Sequence, residues 1–202
     1  MINKNLIKYS IYGFIWLVVL YPLFVALQND GWQIQESLSA FLFPLAGLLM
    51  VSLLWLHAIS GSFETWLRQY INFDWFIEIT AKIILGCLVL HPLLLLVSMS
   101  FNFGDVFAYY GPKFIWLGII SWILLISYDV TKPFKYGFFA KYWNSILIIS
   151  NIGFVISFAH ALGIGGELEE GPLRAVWIFF GITGIISLIY TYAILPFIKK
   201  SA

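Results

Sequence analysis

Charge is what this chain has least of. Only 10% of its 202 residues are Asp, Glu, Lys or Arg, against roughly a quarter in an ordinary globular domain. The formal net charge is +1, with no basic stripe of the kind that captures nucleic acid. Cysteine is almost absent. Cys87 stands alone, so neither an intrachain disulfide nor a metal-thiolate set can be built, and it reads as a small buried hydrophobe. Long polar segments are missing as well. The longest connections, near residues 61–74, 101–111, 131–142 and 164–171, leave no room for a soluble domain, and no stretch alternates strand with helix as a nucleotide-binding domain requires. The glycine cluster "GIGGELEEG" (163–171) follows no strand, so it reads as an acidic loop and not as a phosphate cradle. No internal repeat or low-complexity tract stands out.

What is present is apolar. Hydrophobic residues make up 61% of the chain, and mean hydropathy is +0.92. Runs of roughly 17–25 apolar residues, the length a helix needs to cross the hydrocarbon at ~1.5 Å per residue, occur near 7–27, 39–60, 75–100, 112–130, 143–163 and 172–197. The expected fold is an all-α polytopic membrane protein, a single six-helix bundle over residues 1–202. The opening "MINKNLIKYS" has the charged start of a signal peptide. The apolar run after it is too long, however, and "VALQND" offers no small-residue cleavage site, so it reads as the first membrane helix.

Basic residues set the expected orientation. Lys4, Lys8, Arg68, Lys132, Lys135, Lys141, Lys199 and Lys200, eight of the 11, fall at the ends or in loops on one side. Lys113, Arg174 and the acids Asp30, Glu36, Asp105, Glu167, Glu169 and Glu170 fall on the other. Both termini should therefore face the cytoplasm. Trp32, Trp66, Trp75, Trp143, Tyr109, Tyr110, Tyr142 and Tyr192 sit near span ends, as interfacial anchors do.

Chemistry must come from the few ionisable groups within the spans: His57, Glu78, Lys82, His91 and His160. A central charge costs about 2.5–3.5 kcal/mol on insertion scales, so each calls for a partner or a function. His91 and His160 lie on spans three and five, both running outward, at depths of ~14 Å and ~5 Å from the expected outer ends at ~1.5 Å per residue. Two imidazoles on facing helices are what a six-coordinate b-type haem requires. The bland alternative is two histidines hydrogen-bonded to neighbouring helices. Gly153, seven residues before His160, and Ser157 would lower that helix face for a macrocycle. Thr80, Ile84, Cys87, Leu88 and Leu95 share the face of His91. Glu78 and Lys82 stand at i and i+4, where opposite charges can pair; the alternative there is a proton or quinone-head-group site, which His57 could join. Arg174 and Lys113 open spans six and four at the outer level, where cations can pair with propionates or simply snorkel.

"LGCLVLHPLLLLVSM" (85–99), "GIISWILLISY" (118–128), "FVISFAHALGIG" (154–165) and "GPLRAVWIFFGI" (171–182) follow one another in an order and spacing that resembles the ferric reductase-like transmembrane domain. The likeness is greatest to its small bacterial members, such as the haem-bearing membrane subunit of the periplasmic methionine sulfoxide reductase system. It covers about residues 40–197. It implies a six-helix haem b protein of the bacterial cytoplasmic membrane that passes electrons across or within the bilayer, with His91 and His160 at the outer-haem ligand positions. Such a subunit is an oxidoreductase component that needs a partner, either a redox protein or a quinol. The family places a second histidine 13 or 14 residues before each of these, where this chain has Ile77 and Glu78, and Ile146 and Leu147. The resemblance therefore implies one haem b. A reading from another class is a cofactor-free transporter or assembly factor whose polar site is Glu78, Lys82 and His57.

Overall fold

The structure, a computed structural model, describes residues 3–34 and 37–201. Glu36 and Ala202 lie outside the described residues, as do the side chains of Glu167, Lys199 and Lys200. Among the described residues there is no strand. The helices are α1 (Lys4–Asn29), α2 (Leu38–Ser62), α3 (Glu64–Leu67), α4 (Phe73–Ser98), α5 (Phe103–Tyr110), α6 (Pro112–Thr131), α7 (Trp143–Ile164), α8 (Gly171–Ile189) and α9 (Leu195–Ser201). The turn Tyr190–Ile194, between α8 and α9, is π-helical.

Local chemistry sets the starts of these helices. Asn3, Ser37, Asn72 and Asn102 each accept a backbone N–H of the turn they open, which satisfies donors that the first turn leaves orphaned. The α6 and α8 starts use another device. Gly111 (φ 79°) precedes Pro112, and Gly171 (φ 81°) precedes Pro172. Only glycine enters that left-handed region without strain, and proline is tolerated in a first turn because its missing N–H has no partner there.

Six helices, α1, α2, α4, α6, α7 and α8 with their short extensions, are long and apolar enough to cross a membrane, with hydropathy between 1.8 and 2.2. At most a third of each apolar window is buried inside the protein. Ile178, Phe179, Ile182, Ile185, Ile186 and Ile189 leave one flank of α8 exposed and wholly apolar. A surface of that extent belongs against lipid. The protein is a multi-pass membrane bundle, and six crossings put its two ends on one side, called here the terminal side.

Within the bundle α2 pairs closely with α4, and α6 with α7, whereas the two pairs meet only sparsely through α4 with α6 and α2 with α7. The four helices thus form a ring in which α4 and α7 stand diagonally. Outside it, α8 packs on α2 and α7, and α1 packs on α2. Hydroxyls fasten α2 to α8. Trp55 Nε1 donates to Thr183 Oγ1 at 2.9 Å, and Ser187 Oγ donates to the Ala58 carbonyl at 2.8 Å.

Candidate functional site

His91 sits on α4, seven residues before its end, and His160 sits on α7, four before its end. These ends put them ~10 Å and ~6 Å deep at ~1.5 Å per residue, closer in level than the sequence suggests, because α4 stops at Ser98. The two rings belong to diagonal helices of the ring.

Each ring is held in the same way. His91 Nδ1 lies 2.7 Å from the Phe43 carbonyl oxygen of α2, and His160 Nδ1 lies 2.8 Å from the Phe114 carbonyl oxygen of α6. A carbonyl only accepts, so Nδ1 donates in both, and the neutral ring keeps its lone pair on Nε2. Neither Nε2 has a hydrogen-bond partner among the described residues, yet neither is sealed off. Trp177 Nε1 is the one buried side-chain nitrogen or oxygen without a partner among them, and both histidines are half-buried. Each lone pair is therefore uncommitted. A backbone carbonyl on one ring nitrogen and an open lone pair on the other is the usual state of a metal-ligating histidine.

Glycines form the floors of these holders. A Cβ on Gly47 would lie 2.9 Å from His91 Cε1, and one on Gly118 would lie 2.5 Å from His160 Cε1. Each glycine follows the bonding phenylalanine by four residues, in "FPLAG" (43–47) and "FIWLG" (114–118). The sequence reading misses this duplication, since backbone carbonyls carry no residue signature. The legible signal is Phe-x-x-x-Gly near the start of the span that comes before each histidine's span.

The other expected residues fall elsewhere. Gly153 does not open a face to a macrocycle. It is buried against α6, where a Cβ would meet Leu124 Cβ at 2.8 Å and the Leu125 nitrogen and Ser121 oxygen at 3.0 Å. Helix–helix contact uses up the space that its missing side chain provides. Arg174 Nη1 donates to the Leu168 carbonyl at 2.7 Å, so it ties the far-side loop to the start of α8. Lys113 Nζ lies 5.4 Å from the centre of the Phe114 ring. Of the residues expected on the His91 face, Thr80, Ile84, Cys87 and Leu88 are buried and Leu95 is half-buried.

On the terminal side Lys82 Nζ and Glu78 Oε1 meet at 2.7 Å on an exposed flank of α4. His57 Nε2 lies 2.6 Å from Thr80 Oγ1. That hydroxyl donates to the Phe76 carbonyl at 2.6 Å, so it accepts from His57, whose tautomer is the reverse of the other two. A cleft of about 370 Å³ is lined by His57, Arg68, Asp74, Glu78, Tyr128 and Lys132, among others, and does not include Lys82, His91 or His160. Hydrogen bonds to Asp74 and Glu64 hold the Arg68 guanidinium protonated far above its ordinary range. Among the described residues no group of three or more His, Cys, Asp or Glu could hold a bare metal ion.

No family model, curated protein or solved structure matches the chain.

Proposed function

We propose that the chain is a membrane cytochrome b-type subunit in which His91 and His160 ligate one haem b, and that it serves an electron-transfer system of the bacterial cytoplasmic membrane. Haem supplies a one-electron iron couple. Residue chemistry supports the reading. Nδ1 of each histidine is committed to a carbonyl, which orients the ring and raises the basicity of Nε2. The α2/α4 and α6/α7 pairs join only sparsely, and a flat group held by both histidines would stand between the diagonal helices α4 and α7. Bonds to neighbouring helices are also what the plain structural reading of the two histidines expects, so the observation that carries the proposal is that these matched Nδ1–H···O=C bonds leave Nε2 of both rings without a partner among the described residues.

The chain accepts electrons from a quinol within the bilayer or from a redox partner, and delivers them to an acceptor at the outer face. It is thus an oxidoreductase component and not a complete enzyme. Ile77, Glu78, Ile146 and Leu147 stand where the resembled family has its inner-haem histidines, which supports a count of one. The test is the spectrum of purified protein. A sharp, redox-sensitive Soret band with one haem per chain is expected, lost in His91→Ala and in His160→Ala and kept in His57→Ala. Haem retained in full by either of the first two variants overturns the ligand assignment.

The cleft around His57, Arg68, Asp74, Glu78, Tyr128 and Lys132 favours a second reading, a cofactor-free transporter or assembly factor. A colourless protein after expression with ample haem would select it.

A further inference from the structure

We propose that Gly47 and Gly118 are positioning residues for the two haem ligands: each forms the floor on which one imidazole lies flat, and each fixes the plane in which that ring presents Nε2. The inference rests on the haem reading above.

One hydrogen bond leaves a ring free to swing about it. A second, rigid contact removes that freedom. On α2 the His91 ring bonds the Phe43 carbonyl and then lies over Gly47, where a Cβ would stand 2.9 Å from Cε1, 3.0 Å from Nδ1 and 3.7 Å from Nε2. On α6 the His160 ring bonds the Phe114 carbonyl and lies over Gly118, where a Cβ would stand 2.5, 2.7 and 3.1 Å from the same three atoms. The closest approaches are to the bonded side of each ring, so a methyl group would lift the edge that holds the carbonyl.

General helix packing does not explain the pattern. Gly153 and Gly184 are close-packed too, but a Cβ there would meet Leu124 or Phe154, not a histidine. Gly13, Gly61 and Gly86 meet nothing within 4 Å. The glycines that touch a histidine are the two that stand one helical turn past its carbonyl partner, on two helices whose intervening residues, Pro44, Leu45 and Ala46 against Ile115, Trp116 and Leu117, have nothing else in common. Two equivalent holders on opposite sides of the ring of helices suit a planar ligand whose two faces make the same demand. At these two points the space that the missing side chain leaves is taken by an imidazole.

The experiment compares Gly47→Ala and Gly118→Ala with two controls in full-length, haem-loaded protein. Wild type, with both axial positions filled, should bind carbon monoxide poorly when reduced. Overpacking strain should raise the detached fraction of one ligand about tenfold, read as carbon monoxide binding and as a changed low-spin resonance in the oxidised state. Gly118→Ala should exceed Gly47→Ala, following the closer approach. Gly86→Ala should match wild type. Gly153→Ala, which strains the α6/α7 contact without touching His160, should lower thermal stability and leave carbon monoxide reactivity low. If Gly118→Ala does not fold, the milder Gly47→Ala decides. Haem-loaded glycine variants with wild-type spectra overturn the inference alone, as does a Gly153→Ala variant equally reactive to carbon monoxide. A wild-type protein without haem overturns it together with the ligand assignment.

Discussion

Pro92, immediately after His91, has no N–H to give to the Leu88 carbonyl one turn back. Leu88 is 2% exposed, so its carbonyl finds no water, and an unpaired buried carbonyl is expensive. Trp122 of α6 fills the gap, with Nε1 donating to Leu88 O at 2.8 Å. A defect in α4 thus becomes one of the few ties between the two helix pairs, three residues from His91. Trp122→Phe should cost about 1–3 kcal/mol, the range for leaving a buried acceptor unpaired. Pro92→Ala returns an amide donor to the same carbonyl, so in that background Trp122→Phe should cost much less. Thermal unfolding of the four proteins in detergent measures the coupling. Equal costs in both backgrounds would show that the Trp122 ring acts only by its bulk.

At the scale of elements, the α6/α7 pair depends on close backbone approach. Gly153 admits the α6 backbone, and Ser121 Oγ donates to the Gly153 carbonyl at 2.8 Å. Gly153→Ala would force a methyl group to 3.0 Å from backbone atoms that cannot turn aside, and a loss of about 1–3 kcal/mol in unfolding is expected. An unchanged melting temperature would mean that the pair slides freely. The six spans are legible in the sequence to within a few residues, because each needs little more than length and hydropathy. Short α5 (Phe103–Tyr110), a brief turn capped by Asn102, and α3 (Glu64–Leu67), a single turn without a side-chain cap or a buried residue, are not, since both lie inside what read as loops. The Glu78–Lys82 pair is legible because helical spacing alone brings the two together. His91 and His160 are conspicuous as imidazoles in apolar runs. Their holders are not, because a carbonyl belongs to every residue and a glycine floor has meaning only once two helices are docked. Gly153 illustrates the converse: the small residue is evident, but which neighbour uses its space is decided by tertiary packing.

For the whole molecule, orientation and electron entry are one question. Arg68, Lys132, Lys135 and Lys141 lie in or beside the terminal-side connections, and Asp30, Asp105, Glu169 and Glu170 lie on the far side. The bias of lysine and arginine retains basic loops in the cytoplasm, so reporters fused after Ala202 or within 132–141 should read cytoplasmic, and those within 101–111 or 164–171 external. An external reading at the carboxyl end would move the histidine pair to the cytoplasmic half. With the expected orientation His91 and His160 belong to the outer half, and about half of the ~30 Å hydrocarbon separates them from cytoplasmic donors. Tunnelling falls steeply over such a gap, and Ile77, Ile146 and Leu147 provide no relay ligand. On the proposed reading, with one haem held by His91 and His160, reduction should therefore require a quinol in the bilayer, a membrane partner or an outer-face redox protein. In sealed, quinone-free vesicles with the cytoplasmic face exposed, a soluble flavin reductase with NADH should reduce the haem slowly, and adding a quinol analogue should accelerate reduction. Rapid reduction by the soluble enzyme, with no response to quinol, would require a second redox group on the terminal side, and the cleft around His57, Arg68 and Tyr128 is where it would have to bind.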